Sequence, residues 1–214
     1  MSTEVQIYGP AFSSFVRTVM LCCEEKGIDY SLGFELDGEA IEFHSEAHYR
    51  IHPWGKLPVL SHQGRRLYET AAICRYLDAN FGGPALQPAD PYQRALVDQW
   101  SAAISGYVDQ ALVRRYLLEF AFPKGEDGSV RMERVAEAQP EVENTLAILT
   151  TQLADQPYIC GDRLTIADLL LLPMLDYLAG LPHGETLIAA DSPLAAYLAR
   201  LRERPSAQKV LAKR

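Results

Sequence analysis

The stretch from Phe81-Gly82-Gly83-Pro84 to Pro88-Ala89-Asp90-Pro91 suits neither a helix nor a sheet strand, because glycine is entropically costly in both and proline removes a ladder donor. The apolar periodicity differs on its two sides. Before it, short runs at strand period alternate with runs at helical period; beyond it, strand-period runs cease. The pattern predicts an α/β domain at 1–82, a linker at 83–90 and an all-helical domain at 91–214.

In the first domain, Val5–Tyr8 reads as a strand that stops at Gly9-Pro10. Phe15, Val16, Val19, Met20 and Cys23 then recur at helical spacing up to Lys26-Gly27, a basic last turn followed by a glycine stop. Residues 31–35 form a second, weaker strand, and the polar stretch 39–49 reads as a helix. The runs 57–60 and 66–68 flank Ser61-His62-Gln63-Gly64-Arg65 as a hairpin, and 70–80 is helical again. In the second domain the helical patterns are 95–118, 132–153, 169–175, 194–202 and 206–212. The third of these is apolar on every side, so it belongs at the domain's centre, with Pro173 bending it or removing a hydrogen bond.

Charge and cysteine usage exclude several function classes. Lys and Arg number 20 against 28 Asp and Glu, a net charge of −8, with no basic block; nucleic acid and anionic membrane are not the expected partners. Cys22, Cys23, Cys74 and Cys160 have no metal-ligand or CxxC spacing, so they read as buried thiols of a reducing compartment, with no metal site. The amino terminus from Met1 shows no basic region leading into a long apolar run, and no run is long enough to span a bilayer. The expected location is the cytoplasm.

Three constellations carry possible chemistry. In Gly9-Pro10-Ala11-Phe12-Ser13-Ser14, a strand turns into a helix with a hydroxyl pair at its start. Free N–H groups and the helix dipole favour an anion there, although either serine also suits simple capping. In Pro53-Trp54-Gly55-Lys56-Leu57-Pro58, Lys56 precedes a strand opened by proline. Leu57 is held extended by Pro58 and can pair with an extended peptide; a surface lysine and a trans turn proline are the plainer reading. In Tyr68-Glu69-Thr70, a strand runs directly into a helix. Thr70 can donate to a carboxylate and Glu69 accept from an ammonium, and ordinary capping explains both equally. Together the three match glutathione end to end: an amino-acid head, a thiol and a terminal carboxylate.

With these motifs the chain resembles the cytosolic glutathione transferases over nearly its whole length. That resemblance implies a thioredoxin-like amino-terminal domain and an all-helical carboxy-terminal one. Gly161-Asp162-Arg163-Leu164-Thr165-Ile166-Ala167-Asp168 also matches the family's Gly-Asp-x-x-Thr-x-Ala-Asp element. It reads as a capping box of Thr165 and Asp168, with Leu164 and Leu169 as the staple, and serves folding.

In the family's serine-type classes (phi, theta and zeta) the catalytic serine lies four residues after the glycine ending the first strand, which here is Ser13, with Ser14 as local cap. The Ser pair resembles the zeta class, but Phe15 stands where that class has cysteine. Omega-type relatives have cysteine at the Ser13 position, so thiol exchange is not implied. Lys56 corresponds to the holder of the glycine carboxylate, Leu57 to the residue pairing with the cysteinyl backbone, and Pro58 to a cis proline. Glu69 and Thr70 match the γ-glutamyl contacts, and His44 lies near a basic position that helps bind glycine. His52 replaces the usual asparagine before Pro53.

The implied activity is a detoxifying conjugation: Ser13 donates to the glutathione sulfur and stabilises its thiolate, which attacks an electrophile. Glutathione is a co-substrate, and no cofactor is implied. The electrophile is expected between the domains against Phe12, with Tyr107, Val108, Arg114, Arg115 and Tyr116 as candidate lining and Phe12, Tyr107 and Arg114 foremost. A homodimer is implied, with Trp54 and the face carrying Arg75 as its contact. The same thiolate would serve a glutathione-dependent isomerase or dehalogenase, and a non-catalytic relative would keep only the fold.

Overall fold

The structure, a computed structural model, describes residues 5–212; Met1–Glu4, on which the reading of the amino terminus mainly rests, lie outside the described residues. The chain forms two compact units, Met1–Pro88 with Arg204–Arg214, and Ala89–Glu203.

The first unit is built on a four-stranded sheet in the order β2-β1-β5-β6. Its strands are β1 (Val5–Tyr8), β2 (Tyr30–Gly33), β5 (Val59–His62) and β6 (Arg65–Tyr68). β1 runs parallel to β2 and antiparallel to β5, which pairs antiparallel with β6. Both faces of β5 are buried. Val59 and Leu60 are apolar, and the buried polar pair is hydrogen-bonded, the Ser61 hydroxyl donating to Asp37 Oδ1 at 2.8 Å and His62 Nδ1 lying 2.8 Å from the Tyr76 hydroxyl. α1 (Ser14–Lys26) and α3 (Thr70–Asn80) pack against each other, and α1 ends at Gly27 in the left-handed region with φ 65°.

Residues 39–49, expected to be one helix, are not. Glu35–Leu36 (β3) and Glu39–Ala40 (β4) pair as a small antiparallel ribbon. Only Glu46–Ile51 (α2) is helical, capped where Ser45 Oγ accepts from the His48 N–H at 3.2 Å. The reason is Asp37-Gly38, both at positive φ (55° and 81°). Asp-Gly is a strong hairpin-turn signal, and it outweighed the polar, helix-compatible composition that follows.

The linker is tied to the first unit. Lys26 Nζ reaches Asp78 Oδ1 at 2.8 Å and the Pro84 carbonyl at 3.1 Å. Asp78 also accepts the N–H groups of Leu86 at 2.9 Å and Gln87 at 3.1 Å. The last helix, α10 (Pro205–Leu211), groups with this unit rather than with the helical one. Glu25 explains it: its carboxylate accepts from Arg204 Nε at 2.7 Å and Nη2 at 2.6 Å, and from the Ser206 hydroxyl.

The second unit is helical. α4 (Pro91–Ala103) starts at an Asp90 cap with proline in its first turn. The helix expected at 95–118 instead continues as a π-wound segment, Ile104–Leu117, before a short α5 (Leu118–Ala121). α6 (Met132–Leu153) follows, then α7 (Ile166–Ala179), α8 (Gly184–Leu187) and α9 (Pro193–Arg202). α7 is buried along almost its whole length and runs unbroken through Pro173. Thr165 caps it in a capping box with Asp168. The buried Asp168 carboxylate accepts from the Thr165 N–H and hydroxyl and the Ile159 N–H, each at 2.8 Å, and from the Tyr197 hydroxyl at 2.9 Å.

Candidate functional site

Strand register brings the three constellations together. Tyr8 at the end of β1 pairs with Val59 at the start of β5, which pairs with Tyr68 at the end of β6. The Gly9–Ser13 turn, the Lys56–Pro58 approach and the Glu69–Thr70 junction therefore all leave the sheet at one end. A Cβ at Gly9 would lie 3.4 Å from Leu57 Cδ2, so the first two segments touch. The same Cβ would come within 2.6 Å of Val16 Cγ2, and Gly9 has φ 141°; only glycine fits where the strand turns into the helix.

The turn is held from inside. The Ser13 N–H donates to the Pro10 carbonyl at 3.1 Å, and Arg17 Nε donates to the Ala11 carbonyl at 2.9 Å. Arg17 is fully buried. Ser13, not Ser14, is the cap residue of α1, which corrects the assignment of Ser14 as local cap. The geometric reason is that Ser13 has extended φ/ψ while Ser14 is already helical. The capping bond itself is long, 3.5 Å from Ser13 Oγ to the Val16 N–H, at the outer edge of a hydrogen bond. A hydroxyl that accepts there still has its proton to donate elsewhere. Among the described residues, the N–H groups of Ser14 and Phe15 have no backbone acceptor outside the helix, leaving the helix start open to an anion. The nearby Tyr8 hydroxyl is occupied: it is buried and donates to the Ile41 carbonyl at 3.1 Å.

Leu57 is followed by a cis bond to Pro58, and Lys56 is exposed. At the third segment, Glu69 precedes α3 with φ 69° and its side chain makes no capping hydrogen bond. Simple capping therefore does not account for it. A non-glycine residue in that region is strained, a condition that clusters at ligand-binding positions. Thr70, the first residue of α3, is buried.

His44 is exposed with φ 64° and lies in the loop before α2, not on a helix. Its ring stacks on Phe43 with centroids 3.8 Å apart. Its N–H donates to His48 Nδ1 at 3.0 Å, and His48 Nε2 lies 3.0 Å from the Lys56 carbonyl. The histidine that joins these two residues, and the arginine beneath the serine turn, escaped the sequence reading. A histidine at a capped helix start and an arginine four residues past Ser13 were the available signals.

The electrophile candidates divide between the two units. Phe12 is 58% exposed in the first. In the second, Tyr107 is 82% exposed, whereas Val108 and Tyr116 are core residues. Arg114 is engaged by Asp109 through an Nε–Oδ2 bond of 2.9 Å, and Arg115 by Glu141. Residues five apart share a face only when a helix is wound i→i+5, so the π segment makes the Arg114 pair.

A model described as the glutathione S-transferase N-terminal domain matches residues 12–80, and one described as the C-terminal domain matches residues 132–200. A probable glutathione S-transferase of Nicotiana tabacum is 32% identical over 167 residues, covering 78% of this chain and 67% of its own. This chain belongs to the glutathione S-transferase family.

The likeness to other glutathione S-transferases extends to the full length. A probable glutathione S-transferase of Oryza sativa subsp. japonica is 27% identical over 221 residues, covering 98% of this chain and 96% of its own. Among solved structures, a theta class glutathione S-transferase from Xanthomonas axonopodis pv. citri, with glutathione bound, is 28% identical with a TM-score of 0.78. The match covers 100% of this chain and 99% of that one. As a glutathione S-transferase fold, the first unit supplies the mixed thioredoxin-like sheet and the second the helices.

The four cysteines take no part in this site. Cys22, Cys23 and Cys74 are buried free thiols and Cys160 is half-buried. Burial pushes the Cys160 thiol up to about 12, with the Asp168 charge adding to it. Among the described residues, no cluster of His, Cys, Asp and Glu could hold a metal ion, and no helix is long and apolar enough to cross a membrane.

Proposed function

We propose that this protein binds glutathione in its first unit, stabilises the thiolate with the Ser13 hydroxyl and transfers it to an electrophilic carbon. The observation that carries this reading is the Tyr8–Val59–Tyr68 register, which gathers the serine turn, Leu57 and Glu69–Thr70 at one sheet end. In that arrangement Glu69 accepts from the γ-glutamyl ammonium and Thr70 with the α3 start takes its carboxylate. Leu57 pairs with the cysteinyl backbone, and Lys56 with His44 holds the glycine carboxylate.

Lowering a thiol pKa by about two units requires roughly 2.7 kcal/mol of differential stabilisation. A hydrogen bond to a charged acceptor contributes about 1.5–3 kcal/mol, and a helix start about 0.3–1 kcal/mol. Together they are sufficient without a metal or redox group. The thiolate forms the new carbon–sulfur bond, the electrophile's leaving group departs with the electron pair, and the thiol proton goes to solvent. The exposed ring of Phe12, next to Ser13 in the chain, is the proposed apolar contact for the electrophile; of the candidates in the second unit, Tyr107 is exposed and Arg114 is already engaged by Asp109. The reading takes the protein to act in the cytoplasm as a homodimer, with Trp54, 65% exposed, in the contact.

The test is a titration with glutathione at neutral pH, followed by thiolate absorbance, then turnover of an activated aryl halide. Thiolate signal at saturation with conjugate formation supports a transferase. Thiolate without conjugation would move the reading to an isomerase or dehalogenase. No thiolate signal would leave a non-catalytic relative.

A further inference from the structure

Three histidines occur at intervals of four, His44, His48 and His52. Only the middle one touches both residues assigned to the glycine end of glutathione. His48 is 0% exposed. Its Nδ1 accepts the His44 N–H at 3.0 Å, which leaves its proton on Nε2, and Nε2 then donates to the Lys56 carbonyl at 3.0 Å. The ring thus bridges the backbones of two segments, the loop before α2 and the approach to β5, which no ladder hydrogen bond joins. The side chains on those two backbones, His44 and Lys56, are both exposed.

Everything around the ring fixes it in place. The His48 N–H donates to Ser45 Oγ at 3.2 Å, so the helix cap sets where its side chain starts. Tyr8 and Phe43 flank the ring at centroid distances of 5.1 Å each, with His44 at 6.0 Å, Tyr49 at 6.2 Å and His52 at 6.5 Å. A histidine that merely filled the core would serve as well with a phenyl ring in the same aromatic cluster. A phenyl ring cannot make the two bonds. Burial holds His48 below the usual histidine range, and His44 adds to that, which keeps the ring in the neutral form that can accept at Nδ1.

We propose that His48 is a positioning residue for the glycine carboxylate of glutathione, acting by tying the His44 loop to the Lys56 segment so that both side chains serve one carboxylate. The role rests on the glutathione reading above. It does not touch substrate, and it predicts a loss confined to one end of the peptide.

The test compares glutathione with γ-glutamylcysteine, which lacks the glycine, on the full-length parent and on His48→Phe, His48→Asn and His48→Gln. The phenyl variant keeps the aromatic cluster and loses both hydrogen bonds. The asparagine variant can keep the acceptor facing the His44 N–H, and the glutamine variant the donor facing Lys56. His48→Phe should weaken glutathione binding about tenfold, the size expected when one charge-assisted contact to the glycine carboxylate is lost, while γ-glutamylcysteine binding stays within about twofold. KM for glutathione should rise by the same factor with a much smaller change in kcat, and the two amide variants should fall between parent and His48→Phe. Equal losses for both peptides, or no loss in His48→Phe, would overturn the proposal. Should His48→Phe fail to fold, the His48→Asn and His48→Gln ratios decide it by the same criterion. If the parent itself binds neither peptide, the glutathione reading falls first, and this role with it.

Discussion

Replacing Ser13 by alanine separates the proposed chemistry from folding, because the observed capping bond and the proposed thiolate bond draw on the same hydroxyl with unequal strength. As a cap it accepts from the Val16 N–H at 3.5 Å, close to the limit of a hydrogen bond. The stability loss should therefore lie at the low end of the capping range, about 0.5 kcal/mol. As the proposed donor to thiolate it would make a bond to a full charge, worth about 1.5–3 kcal/mol. At 1.36 kcal/mol per pKa unit that is a rise of roughly one to two units in the bound thiol. Ser14 is helical, and its carbonyl accepts from the Thr18 hydroxyl at 3.1 Å. Ser14→Ala should thus change stability by no more than about 0.5 kcal/mol and leave the thiol pKa alone. Thiolate absorbance across a pH series at saturating glutathione, with urea denaturation of each variant, reads both quantities. A Ser13→Ala protein with a lowered unfolding midpoint and an unshifted thiol pKa would refute the reasoning. Activation would then belong to the helix start, and the hydroxyl would be only a cap. A shift in Ser14→Ala instead would reverse the two serines.

Glu69 is held at φ 69° without a capping bond, so Glu69→Gly should raise stability by about 1 kcal/mol through relief of backbone strain. Glutathione affinity should drop more than tenfold, and calorimetric titration beside thermal melting checks the trade. Asp168 receives four buried donors, and Asp168→Asn leaves some of them facing an amide; about 3 kcal/mol or more of stability should be lost. Glutathione affinity per folded molecule should be unchanged, and native stability would mean that the network is not formed. His48 and His52 are both held below the ordinary histidine value of 6.5, mainly by burial. Both are favoured neutral in the folded state, so their contribution is complete above 6.5 and is lost as pH falls through their lowered values. The urea midpoint should fall between about pH 7.5 and about pH 5.5, and His48→Phe should flatten that slope.

Much of the architecture was legible because it rests on local signals. Periodicity located β1, α3 and α6 to the residue, Gly27 marked the end of α1, and Thr165 with Asp168 announced the start of α7. The departure at 39–49 has a local cause too: Asp37-Gly38 is a turn signal inside an otherwise polar, helix-compatible composition. The π winding of Ile104–Leu117 had no such signature, since apolar spacing over a few turns fits either winding.

The site divides in the same way. Residue types and spacing marked the segments that hold Ser13, Lys56, Leu57, Glu69 and Thr70, each beside a strand end or helix start encoded within a few residues, and the family resemblance chose these residues within them. What brought them to one end of the sheet was the pairing of Tyr8 with Val59 and of Val59 with Tyr68, a long-range register that no short window contains. The choice of Ser13 as cap came from one residue's backbone angles, and the bridging of His44 and Lys56 by His48 from a side chain reaching across two segments. The placement of α10 with the first unit depended on Glu25 meeting Arg204. Helix and turn propensities act over neighbouring residues and are written in the sequence directly. Register, side-chain bridging and domain membership depend on contacts between distant residues, and folding alone brings those together.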